Sequence, residues 1–244
     1  MVQIEQNRKQ TIIDIAVIFC VLLLPMIMNN FLSLFDTKKE PLAFIDPLKT
    51  ISISPVFFMK MIVQSIVMIA PIIYIIYIRK EKITSYGFLK FEWRNFFEAT
   101  KHGLFILFTA FLITFLVVGI LVQTKLIDLK GISEIKIKDL SQNLNIVLVV
   151  FSIVPLFFVS LGEELAFRSF FYRKLQNLFK NDIIIIIAIN LIFALGHLYQ
   201  GFIGFVVTFV LGIVFAINFR RYGNIYSIIF LHTAKNFLAI VVRV

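Results

Sequence analysis

Apolar residues fill most of the chain, in long blocks separated by short polar stretches. The blocks lack the alternation of a soluble strand and the polar face of a soluble amphipathic helix. A membrane-spanning helix needs about 20 mainly apolar residues. The pattern therefore predicts seven spans, at residues 11–34, 54–78, 102–123, 144–165, 183–199, 202–219 and 225–242. An eighth would arise if the long stretch 144–180 breaks into two helices.

Composition supports the same fold class, an all-α polytopic transmembrane bundle. Of 244 residues, 60% are hydrophobic, 29 are Phe and only 16% are charged, which is too much apolar surface for a soluble domain to cover. The first block is interpreted as a retained span, because it is long and lacks a small-residue cleavage site. We predict N-terminal spans over 1–143, with an interfacial amphipathic segment at 83–100, and a candidate catalytic core over 144–244. The two parts are expected to pack as one domain.

The net charge of +10 is distributed in a way that favours a membrane protein over a nucleic-acid-binding protein. Lys and Arg lie mainly between the blocks, thirteen on the side of the N-terminus and eight on the other. This bias predicts a multi-pass protein of the cell membrane with a cytoplasmic N-terminus and with membrane lipids as partners. Cys20 is the single cysteine, which excludes an intramolecular disulfide and makes a cysteine-based metal site implausible.

Three groups of polar residues lie inside predicted spans, where an ionisable side chain costs at least about 2.5–3.5 kcal/mol to insert. Such residues are typically functional or paired with one another. The groups are Glu163-Glu164 with Arg168, Phe193 with His197, and His232 with Asn236. The remaining histidine, His102, lies at a span edge and is interpreted as an ordinary interfacial residue.

Helix geometry separates the two adjacent acids. Glu164 and Arg168 are four residues apart, in the order that favours an ion pair on one helix face. Glu163 lies about 100° away around the helix and lacks that partner. We therefore assign Glu164 and Arg168 to a structural ion pair and Glu163 to chemistry. The alternative is that both acids only cap a helix near the interface.

Hairpin register places the second group beside the first. A turn near Asn181 separates two antiparallel helices, and Glu163 and His197 are nearly equidistant from it, so they should lie at similar depth. His232 and Asn236 share one face of the last span because they are four residues apart. We expect these four residues to converge on one water-accessible cavity within the membrane. A purely interfacial His197 and a structural His232–Asn236 pair are the simpler alternatives.

Small residues recur every fourth position in the sixth span, at Gly204, Thr208 and Gly212. This spacing is typical of closely packed membrane helices. It predicts packing of the late helices rather than chemistry.

The three groups, in this order and on late spans, resemble the CPBP family of intramembrane proteases. That family includes CAAX-processing proteases of the Rce1 type and bacterial relatives associated with bacteriocin immunity. The resemblance rests on Glu163-Glu164…Arg168, Phe193…His197 and His232…Asn236, and it covers roughly residues 144–240. It implies an endopeptidase that cleaves a membrane-associated protein or peptide.

The resemblance also implies roles for individual residues. Glu163 with His197 would activate water, and His232 with Asn236 would stabilise the oxyanion. Glu163, His197 and His232 could instead bind zinc, which would leave a position for water. The spacing differs from that of helical HExxH zinc proteases, and this difference favours a metal-free or weakly metal-dependent mechanism.

Two other functions fit the same polar residues. In a proton-coupled transporter Glu163, His197 and Lys235 would relay protons, although no inverted repeat or matching pair of broken helices is visible. A non-enzymatic membrane protein that binds a peptide or confers bacteriocin immunity could retain the fold and lack the reaction.

Overall fold

The computed structural model describes residues 2–33, 55–124 and 146–241, which form seven helical units. The first unit, α1, runs through Val2–Ile18, a π-helical segment Phe19–Leu23 and Leu24–Ser33. Next are α2 (Pro55–Ile78) and α3 (Trp93–Gln123), with a short 3₁₀ helix Ile83–Tyr86 between them. The unit α4 comprises Ile146–Phe151, Ile153–Glu164, the π-helical Leu165–Phe171 and Tyr172–Gln176. The last three are α5 (Asp182–Leu195), α6 (Gly201–Tyr222) and α7 (Ile225–Val241), with a 3₁₀ helix Leu198–Gln200 before α6.

These helices confirm the polytopic all-α bundle, and no strand occurs in the described ranges. Five of them contain segments long and apolar enough to cross a membrane: Asn7–Met28, Pro55–Ile78, Trp93–Ile113, Val149–Gln176 and Gly204–Tyr222. The other two, α5 and α7, are shorter apolar helices at predicted span positions. The predicted interfacial segment 83–100 is divided differently, because α3 already begins at Trp93.

The unit α4 lies at the centre of the bundle. Half of the residues in the most apolar part of its candidate span are buried, against 17–39% in the other four candidate spans. It packs against α2 on one side and α7 on another. The stretch 144–180, whose break would have given an eighth span, continues over Val149–Gln176 as one span. It contains a turn at Ser152, where Pro155 cannot donate a helical hydrogen bond. The structure therefore supports no eighth span here.

Small residues allow close helix contacts on both sides of α4. Gly162 lies against α2, where an added Cβ would be in ordinary van der Waals contact, 3.6 Å from the Ser65 carbonyl oxygen. Gly212 of the predicted small-residue seam lies against Asn190 of α5 and Arg168 of α4. Large apolar side chains on the outer helices remain exposed, including Phe105, Phe108, Phe111 and Phe115 on α3, as expected for surfaces in contact with lipid. The contact of Gly162 with α2 joins an N-terminal span to the later helices.

Candidate active site

Three polar side chains from three helical regions face one another beside the middle of α4. Glu163 Oε1 lies 4.0 Å from His197 Nε2, and Glu163 Oε2 lies 3.5 Å from His232 Nε2. The Glu163 and His197 side chains are 17% and 14% exposed, and that of His232 is 6% exposed. The hairpin register is reproduced, because Asn181 caps α5 and His197 follows the end of that helix. The site is thus largely buried, with Glu163 and His197 retaining some access.

The orientation of each histidine is fixed through its Nδ1 atom. His197 Nδ1 lies 2.8 Å from the Phe193 carbonyl oxygen, which can only accept, so Nδ1 carries the proton and donates. His232 Nδ1 lies 2.7 Å from Glu164 Oε1 and donates in the same way to that carboxylate. Both rings therefore turn Nε2 towards Glu163. A neutral His197 can accept a hydrogen bond at that atom.

Glu164 links the predicted ion pair to the site. Its side chain and that of Arg168 are fully buried, with Arg168 Nε 3.3 Å from Glu164 Oε2. This distance fits an ion pair, although the angle does not meet hydrogen-bond geometry. Because the other carboxylate oxygen accepts from His232, Glu164 both neutralises Arg168 and orients a site histidine. The sequence predicted the first contact and missed the second.

Asn190 of α5 extends this support by a further contact. Its Oδ1 accepts a hydrogen bond from Arg168 Nη2 at 3.1 Å, and its Nδ2 donates to the Ile186 carbonyl oxygen at 2.7 Å. Asn190 is fully buried. The sequence analysis did not select it, although a single amide within the apolar stretch DIIIIIAINLIFAL is a detectable signal.

Aromatic rings enclose the charged groups. The Arg168 guanidinium lies over the Phe193 ring at 4.4 Å from its centroid, a cation–π geometry. The same ring contacts the His197 ring at a centroid separation of 4.6 Å, and the Phe215 ring contacts that of His232 at 5.4 Å. Phe193, predicted only as a motif residue, therefore packs between the ion pair and His197 and helps exclude water from Arg168.

Asn236 lies one turn after His232 on α7, as its spacing requires. Its Oδ1 accepts a hydrogen bond from Lys235 Nζ at 3.1 Å. The structure thus brings Glu163, His197 and His232 within 4.0 Å contacts, while the hydrogen bond of Asn236 is directed to Lys235. His102 lies elsewhere, between Arg221 and Asn218.

The possible zinc ligands are unevenly spaced around Glu163. Ligands at about 2.1 Å from a tetrahedral zinc lie about 3.4 Å apart. Glu163 Oε2 is 3.5 Å from His232 Nε2, close to this spacing, and Glu163 Oε1 is 4.0 Å from His197 Nε2, which is longer. Among residues 2–33, 55–124 and 146–241, no three His, Cys, Asp or Glu side chains are placed to hold a metal ion together.

Comparison with known proteins finds one family that the region carrying the site resembles. Residues 145–238 match the family model described as Rce1-like, type II CAAX prenyl endopeptidase. No curated protein and no solved structure matched the chain. The match covers Glu163, His197 and His232, together with the supporting Glu164 and Arg168, and it confirms the resemblance seen in the sequence motifs. Over residues 145–238 the chain is therefore similar to the Rce1-like family of type II CAAX prenyl endopeptidases.

Proposed function

We propose that this protein is a glutamate-type intramembrane endopeptidase in which Glu163 activates the attacking water. The family implies endopeptidase activity on a membrane-associated protein. The observation that carries the residue assignment is the convergence of the Glu163 carboxylate with Nε2 of two histidines. Each histidine is held in that orientation by a hydrogen bond from its other nitrogen.

The spacing between Glu163 and His197 suits a shared water. Two acceptors that each lie about 2.8 Å from one water oxygen are separated by about 4.4 Å when the water donates to both. The 4.0 Å between Glu163 Oε1 and His197 Nε2 is close to this value and too long for a direct hydrogen bond. A water held in this way keeps its lone pairs free to attack a carbonyl carbon.

The proposed reaction needs no group outside the protein and the substrate. The water oxygen bonds to the scissile carbonyl carbon while Glu163 takes one of its protons, giving a tetrahedral oxyanion. Collapse of this intermediate breaks the carbon–nitrogen bond. Glu163 then returns the proton to the leaving amine, so the carboxylate is regenerated with each turnover.

His232 and Asn236 are the proposed oxyanion donors. Because His232 Nδ1 donates to Glu164, Nε2 can donate only when the ring is an imidazolium. Asn236 would contribute its Nδ2 amide after a modest rotation away from Lys235.

A cell-based comparison tests this proposal. Membrane proteomes of cells expressing the wild-type protein, Glu163→Gln or the matched control Glu98→Gln would be compared for a membrane-associated protein that remains uncut. We expect accumulation with Glu163→Gln alone, and loss of the effect when wild-type protein is restored. Identical proteomes for all three would contradict proteolysis and favour a binding or transport role.

A metal test separates the two possible protease types. Once a cleaved substrate is known, the purified protein would be dialysed against a strong chelator and assayed with its metal content measured. We expect activity to be retained within about twofold after chelation. Loss of activity with chelation, restored by zinc, would overturn the glutamate-type mechanism while leaving the endopeptidase assignment intact.

A further inference from the structure

A polar pocket lies where three connections between helices meet at one end of the bundle. Its volume is about 540 Å³. One wall comes from the segment after α2, one from the C-terminal end of α4, and Gly223 follows α6. The lining side chains with hydrogen-bonding groups include Lys82, Thr84, Ser85, Arg173, Lys174 and Asn177. The α4 residues of the pocket begin at Arg173, after Glu163 on the same helical unit, and the lining contains none of the site residues Glu163, His197 and His232.

A cluster of paired charges, here named the face cluster, consists of Asp14, Arg79, Glu81, Tyr86 and Lys174. The last three of these residues line the pocket. Asp14 accepts from Arg79 Nη2 at 2.7 Å and from Lys174 Nζ at 2.9 Å. Lys174 also donates to Glu81 at 2.7 Å, and the Tyr86 hydroxyl donates to Glu81. Burial, and then this hydrogen bond, raise the pKa of Tyr86 well above its ordinary value. The carboxylates at the pocket are thus already engaged by donors.

Two cations of the pocket are not paired in this way. Within the described part of the chain, neither Lys82 nor Arg173 forms an ion pair with a carboxylate. Arg173 donates to Gln176 Oε1 at 3.3 Å and stacks on the Phe219 ring, while its buried Nε lacks a hydrogen-bond partner. The lining carries three cations, Lys82, Arg173 and Lys174, and one anion, Glu81. Its net charge is therefore +2.

Aromatic residues place the pocket at the level of lipid headgroups. The only Trp of the chain, Trp93, packs with Phe91 and Phe96 beside the pocket, and Phe91 also contacts Tyr226. Tyr226 Oη donates to the carbonyl oxygen of Leu89, which itself lines the pocket. Clusters of Trp and Tyr mark the boundary between hydrocarbon and headgroups. The pocket therefore opens where phosphate groups of lipids are concentrated.

We propose that this pocket binds the phosphate of an anionic phospholipid headgroup. Arg173 and Lys82 supply charge, and the hydroxyls of Thr84 and Ser85 and the amide of Asn177 supply further donors to phosphate oxygens. Because the face cluster holds its own carboxylates in ion pairs, they oppose an anion less than free carboxylates would. The site is independent of proteolysis and anchors the end of α4 to the membrane surface.

Native mass spectrometry of the delipidated full-length protein tests the proposal. The protein would be titrated with palmitoyl-oleoyl phosphatidylglycerol, with the matching phosphatidylcholine, and with inorganic phosphate. We expect one phosphatidylglycerol to bind at about tenfold lower concentration than phosphatidylcholine. Arg173→Gln and Lys82→Gln should each reduce this preference severalfold, whereas Lys180→Gln, an exposed charge of the same segment outside the pocket, should retain it.

Three outcomes would overturn the assignment. They are equal binding of the two lipids by the wild-type protein, an equal loss of preference in Lys180→Gln, and binding of inorganic phosphate that prevents lipid binding at millimolar concentration. The last result would identify a free phosphate as the ligand. Lys82 is exposed, so its variant should fold even if Arg173→Gln does not, and melting curves in detergent check both.

Discussion

Two clusters contain buried carboxylates: the face cluster and the active-site cluster, which consists of Glu163, Glu164, Arg168, His197 and His232. The carboxylates of the two clusters are paired to different extents. In the face cluster, Asp14 and Glu81 have cationic donors at 2.7–3.0 Å. In the active-site cluster, Glu164 is held between Arg168 and His232, whereas Glu163 approaches its histidines only to 3.5 and 4.0 Å. A fully paired carboxylate stabilises the fold, and an incompletely paired one remains available to take a proton from water. The first two of the following variants test that distinction, and the next two test the packing and the helix cap around the active-site cluster. They run from the largest expected loss of stability to the smallest.

Glu164→Gln removes the charge that holds both Arg168 and His232. We expect it to lower the free energy of unfolding by about 3–5 kcal/mol, because a fully buried guanidinium loses its counter-ion. Unfolding in SDS titrations and abundance in membranes measure the effect. Glu98→Gln is the matched control, since its pair with Arg94 has the same four-residue spacing but is exposed, and it should change stability by less than about 0.5 kcal/mol. A similar small change in both variants would contradict a structural role for Glu164.

Asp14→Asn tests the face cluster in the same way. Losing the anion that accepts from Arg79 and Lys174 should cost about 2–3 kcal/mol of stability, because Lys174 is buried and keeps only Glu81 as a partner. Specific activity per folded molecule should stay within about twofold, since the cluster is not part of the reaction.

The control for this variant is Asp182→Asn, whose pair with Arg220 is partly exposed. It should cost at most about 1 kcal/mol. A large loss of specific activity in Asp14→Asn without loss of stability would show that the two clusters are coupled.

Gly212→Ala tests how closely the helices around Arg168 are packed. The new methyl group would collide with Asn190 Oδ1 and lie 3.0 Å from Arg168 Nη2, so we expect a loss of about 1–3 kcal/mol. Gly119→Ala has no heavy atom within 4 Å of the added carbon and should be neutral or slightly stabilising. If the Gly212→Ala and Gly119→Ala variants unfold at the same SDS concentration, the helices are not tightly packed at Gly212.

Asn181→Ala removes the N-terminal cap that fixes the start of α5. The Asn181 side chain accepts from the backbone amides of Ile183 and Ile184, so its loss should cost about 1 kcal/mol. Asn181→Asp keeps an acceptor and should restore the stability. Thermal melting of the three proteins under one detergent condition measures the difference, and a destabilised Asp variant would argue against a capping role.

Two kinds of feature could be predicted from the sequence. They are contacts within one helix and the relative depth in the membrane of two residues on helices joined by a short turn. Helical periodicity gave the pairing of Glu164 with Arg168, and the turn at Asn181 gave the matching depth of Glu163 and His197. The seven helix positions followed from apolar blocks. These predictions need only the rise and periodicity of a helix.

Contacts between distant helices could not be predicted, because they depend on helix rotation and tilt. The bond from His232 to Glu164 joins residues 68 apart, and that from Lys174 to Asp14 joins residues 160 apart. The π-helical segment directly after Glu164 also changes the directions of the side chains on α4, and no residue pattern indicated it. The sequence therefore selected Glu163 as the candidate base but did not indicate the contact of Glu164 with His232.

The turnover number of Glu163→Gln, measured on a substrate found in the proteomic comparison, tests the central claim most directly. The purified variant and the wild-type protein would be assayed together with their melting temperatures and substrate affinities. We predict at least about a 10³-fold loss of kcat, because the base that takes the proton from water is removed. The melting temperature and the affinity should be unchanged. A variant that is equally stable and retains kcat within about tenfold would contradict the assignment of Glu163 as the base.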